Sequence, residues 1–262
     1  MRTSIMSSKG LFYLAFLLLP VAAKAQLIEQ PKASFELCFQ SSSGTNASAV
    51  TYDPASNRYF SCIAGNSVFP LEVFDGKGQN IYQTECGSDM RGLWWNPKTK
   101  QLEGNGYSSV GIVGLLLDGS GFPSLGNTTI FDGTSHQPEG NSCGVYDGKK
   151  VIWYYSSGSF YMYSRKSGNS MKSIMLSGDV NLESINTTSM IYTGIKGMEL
   201  GLLDFEAKKV LLFNKKTGAL SAEIKLPSSA VTNYSFRFAF ANKHVFLYDT
   251  ESRCWTAYQI TQ

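Results

Sequence analysis

The sequence predicts an all-β chain folded as a β-propeller with five blades, six being the alternative. Three observations carry this. A polar turn after an apolar run recurs along the chain, its spacing suits a four-stranded blade, and the intervening segments alternate apolar with polar residues. The clearest unit is KKVLLFNKKTGALSAEIKL at residues 208–226. Val210, Leu211, Leu212 and Phe213 form an apolar run, and NKKTG follows as a turn in which Gly218 takes positive φ without steric penalty. Ala222, Ile224 and Leu226 then alternate with Glu223 and Lys225. A lone hairpin is marginal in water, so this one requires neighbours.

The chain opens on a predicted secretory signal at residues 1–25. Arg2 and Lys9 give a basic start, LFYLAFLLLPVA is the apolar core, and Ala23-Lys24-Ala25 fits the small-x-small cleavage rule. A core of about a dozen residues falls short of the roughly 20 that span a bilayer, which disfavours a membrane anchor. The expected mature chain, 26–262, is one domain, secreted or periplasmic. No linker divides it, and no other stretch is apolar and long enough to span. The net charge of +3 includes Arg2, Lys9 and Lys24. The mature chain is therefore near neutral, which argues against nucleic acid as a partner.

Next comes ASFELCFQ at residues 33–40, which alternates like a strand but precedes the first complete repeat. The recurring turn follows as VFDGKGQ, LLLDGSGF, MYSRKSGNS, LFNKKTGAL and LYDTESRCW. With Phe74, Leu117, Tyr163, Phe213 and Tyr248 taken as equivalents, the spacings are 43, 46, 50 and 35. A propeller blade repeats at about 40–50 residues. Upstream of the turns, AVTYDPASN, GLWWNPKTK and CGVYDGK each read as an inner strand and its tight turn. Proline after Asp53 and Asn96 fixes φ for a turn and has no place inside a central strand. The fourth unit has Gly197 in this turn, and the fifth is compressed into three strands ending in RCWTAYQIT.

A ring must close, because an open blade leaves a bare strand edge. The economical arrangement pairs residues 33–40 with the last strand, so that both ends of the chain share one blade. That places Cys38 beside Cys254 as a candidate disulfide. The five cysteines include no CxxC pair, so no zinc site is indicated, and the odd count leaves at least one free thiol.

VTYDPASNRYF, RGLWWNPKTKQLEG, HQPEGNSCGVYDGKKVIWYY and FNKKTGALSAEIKLP resemble blades of the broad NHL-type or quinoprotein-like propeller group. The resemblance covers nearly the whole mature chain and implies a fold, with no activity attached. The WD dipeptide and the kelch double glycine are absent.

Propeller sites gather on the loops that enter the inner strands, here residues 42–48, 87–91, 132–141, 179–188 and 228–234. Their polar residues are the ligand-binding candidates: Asp89, Arg91, His136, Glu139, Glu183 and Asn186, with Asn233 beside them. His136 is of the residue type that suits a base or metal ligand. Glu139 and Glu183 would make a carboxylate pair for hydrolysis or calcium if their loops converge. The competing expectation is that all three are solvated loop residues. Trp94-Trp95, Trp153-Tyr154-Tyr155 and Trp255 are expected to pack between blades more than to stack sugars. Four Asn-x-Ser/Thr sequons, at Asn46, Asn127, Asn186 and Asn233, predict glycosylated loops in a eukaryotic secretory pathway and are otherwise chance matches in a Ser- and Thr-rich chain. Two functions follow: a binding or scaffold module for a protein, peptide or glycan, or a lactonase-like or glycan-cleaving hydrolase with an acidic, calcium-bearing channel mouth.

Overall fold

A computed structural model describes residues 30–65 and 68–260. The expected signal segment, residues 1–25, lies outside them. Among the described residues, no helix is long and apolar enough to cross a membrane. The first strand, β1 (Ala33–Cys38), stands apart in sequence from the blade it joins. Blade 1 is β2 (Asn46–Asp53), β3 (Arg58–Ala64), β4 (Pro70–Asp75) and β5 (Asn80–Glu85). Blade 2 is β6 (Met90–Asn96), β7 (Gln101–Gly106), β8 (Ile112–Leu117) and β9 (Pro123–Phe131). Blade 3 is β10 (Val145–Tyr146), β11 (Val151–Ser156), β12 (Ser159–Ser164) and β13 (Ser170–Met175). Blade 4 is β14 (Ile191–Tyr192), β15 (Leu200–Asp204), β16 (Lys209–Phe213) and β17 (Leu220–Lys225). Blade 5 holds β18 (Phe238–Ala241), β19 (His244–Asp249), β20 (Cys254–Gln259) and, outermost, β1. Every pairing between these strands is antiparallel, and the inner strands β2, β6, β10, β14 and β18 stand side by side in a closed ring. The fold is a five-bladed propeller.

The hairpin at 208–226 forms as β16 and β17, with Gly218 at φ +72°. A Cβ there would lie 2.1 Å from the Met175 carbonyl oxygen of the neighbouring blade, so blade packing itself requires glycine. The final spacing of 35 has a topological cause. In blades 1 to 4 the recurring turn joins the third strand to the fourth. In blade 5, LYDTESRCW joins the second to the third, because β1 supplies the fourth strand. That turn therefore lies on the opposite face.

Side chains between blades form the core. Trp153 and Trp255 are buried there with Tyr59, Phe74, Phe160 and Phe213. Trp94 is buried while Trp95 is half-exposed, as the two faces of a strand require. Polar ties cross between blades as well. The Trp95 amide donates to Thr51 Oγ1 at 2.9 Å, the Ser48 hydroxyl to the Met90 carbonyl at 3.0 Å, and Trp255 Nε1 to Ser61 Oγ at 2.8 Å. Glu103, fully buried on β7, is met by both Nε and Nη2 of Arg165 from blade 3, at 2.6 and 2.7 Å. Burial alone would raise this carboxyl, but the bonds from Arg165, Asn96 and Trp94 outweigh it and hold it below the usual glutamate value.

Closure is strand, bond and clamp together. Phe35 pairs with Ala257 and Cys38 with Cys254, and those two cysteines are joined in a disulfide. Cys62, Cys86 and Cys143 are buried thiols. Beyond β1, the Arg253 guanidinium donates to the Ser41, Ser43 and Gly44 carbonyls at 2.6–3.0 Å. From the next blade, buried Glu72 accepts the Gln40 and Ser41 amides.

Two outcomes test these ties. The disulfide spans 216 residues, and the chain-entropy model makes it worth about 4–5 kcal/mol. Cys38→Ser with Cys254→Ser should lower the denaturant midpoint accordingly; an unchanged midpoint would contradict its role in closure. Glu103 has a depressed folded pKa, so its stabilisation is present above the unfolded value near 4.5 and is lost as pH falls through the folded one. Glu103→Gln should cost about 2–4 kcal/mol at pH 7 by leaving Arg165 without its partner. It should also flatten the acid limb of the stability profile, checked by urea melts from pH 3 to 7.

Candidate functional site: the axial channel

The five inner strands enclose a cavity of about 330 Å³ on the ring axis. Each blade contributes to its wall, Ser48–Tyr52 from β2 facing Trp94 and Trp95 of β6, with Val145, Tyr192 and Phe240 from the others. Its closed end is formed by buried Ser48, Cys143 and Met190, and its open end by exposed Pro54, Pro97 and Asn242. The cavity therefore opens on the face carrying the turns after the inner strands, opposite the entry loops. Small residues permit its closed end: a Cβ on Gly92 would lie 2.3 Å from the Gly144 carbonyl oxygen of the adjacent blade. Tyr52, Trp95, Tyr192 and Phe240 remain half-exposed around the mouth.

Among the described residues, no Asp, Glu, His, Lys or Arg lines this cavity. Its titratable groups are tyrosines and Cys143, whose thiol is pushed by burial up to about 11. Such a site offers ring faces, apolar surface and a few hydrogen-bonding groups. That is chemistry for holding an uncharged group.

On the entry-loop face, Arg91 covers the axis. Its Nη2 donates to Asp89 Oδ2 at 2.8 Å, and Asp89 Oδ1 accepts the Gly65 amide at 3.0 Å. The guanidinium stacks over Tyr107 of its own blade at 4.6 Å and Phe236 of blade 5 at 5.1 Å. Blades 2 and 5 are not neighbours in the ring, so this contact passes across the axis. Arg91 Nε is buried without a hydrogen-bond partner among the described residues.

Of the six candidates, the fold joins Asp89 and Arg91 in an ion pair, and each of the other four has a setting of its own. Asn186 is fully buried and committed to structure. Its Nδ2 donates to the Asn233 and Phe236 carbonyls at 2.9 and 2.8 Å, while its Oδ1 accepts the Thr188 and Ser189 amides. It pins the loop that sets Phe236 over Arg91 and leaves no atom for a ligand or a glycan. His136 is a loop clip, with Nδ1 2.8 Å from the Gly168 carbonyl oxygen, Nε2 3.1 Å from that of Asp132, and its ring against Phe131. Glu139 is exposed and accepts the Ser156 hydroxyl, and Glu183 is exposed on a short helical turn. Asp89, Glu139 and Glu183 do not converge. Among the described residues, one group of three acidic, imidazole or thiol donors lies within 4.8 Å: Glu36, Cys38 and Cys254. The disulfide already uses both of its sulfurs.

Sequence reasoning raised Trp94-Trp95 as a stacking platform but did not set Tyr52, Tyr192 and Phe240 beside them. A signal was present, since Tyr52 and Trp95 immediately precede the Asp-Pro and Asn-Pro turns. The turns themselves were legible, but not that the cavity opens on their side.

Comparison with known proteins gives the fold a precedent. No family model matches the chain, and no curated protein sequence matches it. Among solved structures, glutaminyl cyclase from Myxococcus xanthus superposes with a TM-score of 0.58 at 11% identity, covering 91% of this chain and 99% of that one. A chain of the mitotic checkpoint complex gives a TM-score of 0.38 at 9% identity, covering 81% of this chain and 61% of that one. At such identity the likeness shows the fold alone.

The role of Asn186 is testable. Asn186→Ala strands four backbone groups and should cost about 2–4 kcal/mol. It should also speed hydrogen exchange at residues 233–237, read by mass spectrometry. Asn186→Asp keeps the accepted bonds but sets a carboxylate against two carbonyls, so it should rescue little. Full stability in either variant would show that the pin is dispensable.

Proposed function

We propose that this chain is a secreted or periplasmic binding module that receives an uncharged ring or apolar group of a peptide, protein or glycan in its axial cavity. The observation that carries the reading is the composition of the cavity: four half-exposed aromatic rings at the mouth and no charged side chain along the wall. Aromatic platforms hold sugar rings and apolar side chains by area and geometry without charge. Placement outside the cytoplasm rests on the N-terminal signal pattern. The NHL-type or quinoprotein-like resemblance rests on turn motifs and contributes the fold.

The enzymatic alternative draws on the likeness to a glutaminyl cyclase and on the hydrolase reading of the acidic loops. It needs acid–base groups at the reacting atoms. The axial wall supplies neither carboxylate nor imidazole. The Asp89–Arg91 pair lies at the far end of the axis, tied together and to the Gly65 amide.

Binding can be followed by tryptophan fluorescence, since Trp94 and Trp95 line the wall, against panels of neutral oligosaccharides and aromatic peptides. Trp95→Ala and Phe240→Ala should each weaken a bound member by about tenfold or more while the melting temperature stays within a few degrees. Affinity untouched by both variants, or ammonia released from a peptide with N-terminal glutamine, would replace this reading with another.

A further inference from the structure

We propose a second, separate site: a cavity for a multiply charged oxoanion between blades 2 and 3. It has a volume of about 480 Å³ and is walled by three tight turns. Lys98 comes from the β6–β7 turn, Lys149 and Lys150 from the β10–β11 turn, and Arg165 and Lys166 from the β12–β13 turn. Five basic residues thus border one concavity, the four lysines exposed around it and Arg165 half-buried.

Among the described residues, neither nearby carboxylate is ion-paired to one of these lysines. Glu103 is fully buried beneath them, its oxygens taken by Arg165, Trp94, Asn96 and Thr99. Asp147 folds back on its own turn, where Oδ1 accepts the Lys149, Lys150 and Val151 amides at 2.7–3.0 Å. Two acidic residues stand against five basic ones, Glu103 engaged through both oxygens and Asp147 through Oδ1.

The cavity is also partly preorganised. Glu103 fixes the Arg165 guanidinium through Nε and Nη2, leaving Nη1 without a bond to that carboxylate. The Lys98 ammonium is tied to the Lys149 carbonyl at 3.0 Å, which holds the first two turns together. Tyr146 lines the wall shared with the axial cavity, and Met171 stands exposed at the rim. A planar, anchored guanidinium flanked by lysines suits oxygens of phosphate or sulfate. Several anionic groups close together are needed to offset several cations. The ligand class is therefore a small molecule bearing at least two such groups, as in a diphosphate or a sulfated sugar. This site stands independently of the axial cavity.

Isothermal titration with inorganic pyrophosphate and with a disulfated disaccharide tests the assignment and separates the two sources. At low ionic strength at least one probe should bind, more weakly as salt is raised. Tighter binding of pyrophosphate points to a phosphate ligand, and tighter binding of the disaccharide to a sulfated glycan. Lys149→Glu with Lys166→Glu, both on exposed turns, should weaken binding about tenfold or more. Lys225→Glu, on a distant exposed strand, should leave it unchanged. The proposal is overturned if neither probe binds, if the double variant binds as well as the parent, or if Lys225→Glu weakens binding equally, since diffuse charge would then account for it. Unchanged melting temperatures confirm that the variants are folded.

Discussion

The structure depends on one pairing, β1 against β20. A propeller is a set of small sheets, each too narrow to persist alone, packed face to face around an axis. Any break in the ring exposes two blade faces together and leaves the interblade aromatics with water on one side. Hydrogen bonds join Phe35 to Ala257 and neighbouring residues, the disulfide fixes Cys38 to Cys254, and Arg253 and Glu72 grip the chain just beyond. The strand pairing, the disulfide and the Arg253 contacts lie at the largest sequence separations among the described residues. They convert five local sheets into one closed body.

Closure also arranges the two ends of the axis. It sets blade 5 against blade 1, so that the blade 5 loop can reach over the axis to Arg91. Asn186 then holds that loop from blade 4. The entry-loop end becomes a packed lid of guanidinium and aromatic rings. The other end stays open because its residues are turn prolines and half-exposed rings. One face carries order and charge pairing, and the opposite face carries space.

The architecture was legible because it is local. Alternation in residues 208–226, the Asp-Pro and Asn-Pro turns and the spacing of the repeats each follow from a few neighbouring residues. The orphan strand at 33–40 had only one blade left to join. The sites were less legible because they are assembled from distant residues. Asn186 reads as an ordinary polar loop residue, and only its four backbone partners show that it is internal scaffolding. Lys98, Lys149 and Lys166 read as three unrelated turn residues until blade adjacency brings them to one cavity. The blade 5 turn misled for a topological reason, since a strand borrowed from the other end shifts which hairpin the same motif occupies.

The borrowed strand carries a temporal consequence. A polypeptide is made from its amino end, so β1 exists long before β20 is available. Throughout synthesis it is a solitary edge with no partner, and blades 1 to 4 can stack but cannot be sealed. Completion waits for the last twenty or so residues of the ring. Assembly of this molecule is thus a latch that drops at the end, and a chain truncated shortly before β20 would lose far more than one strand.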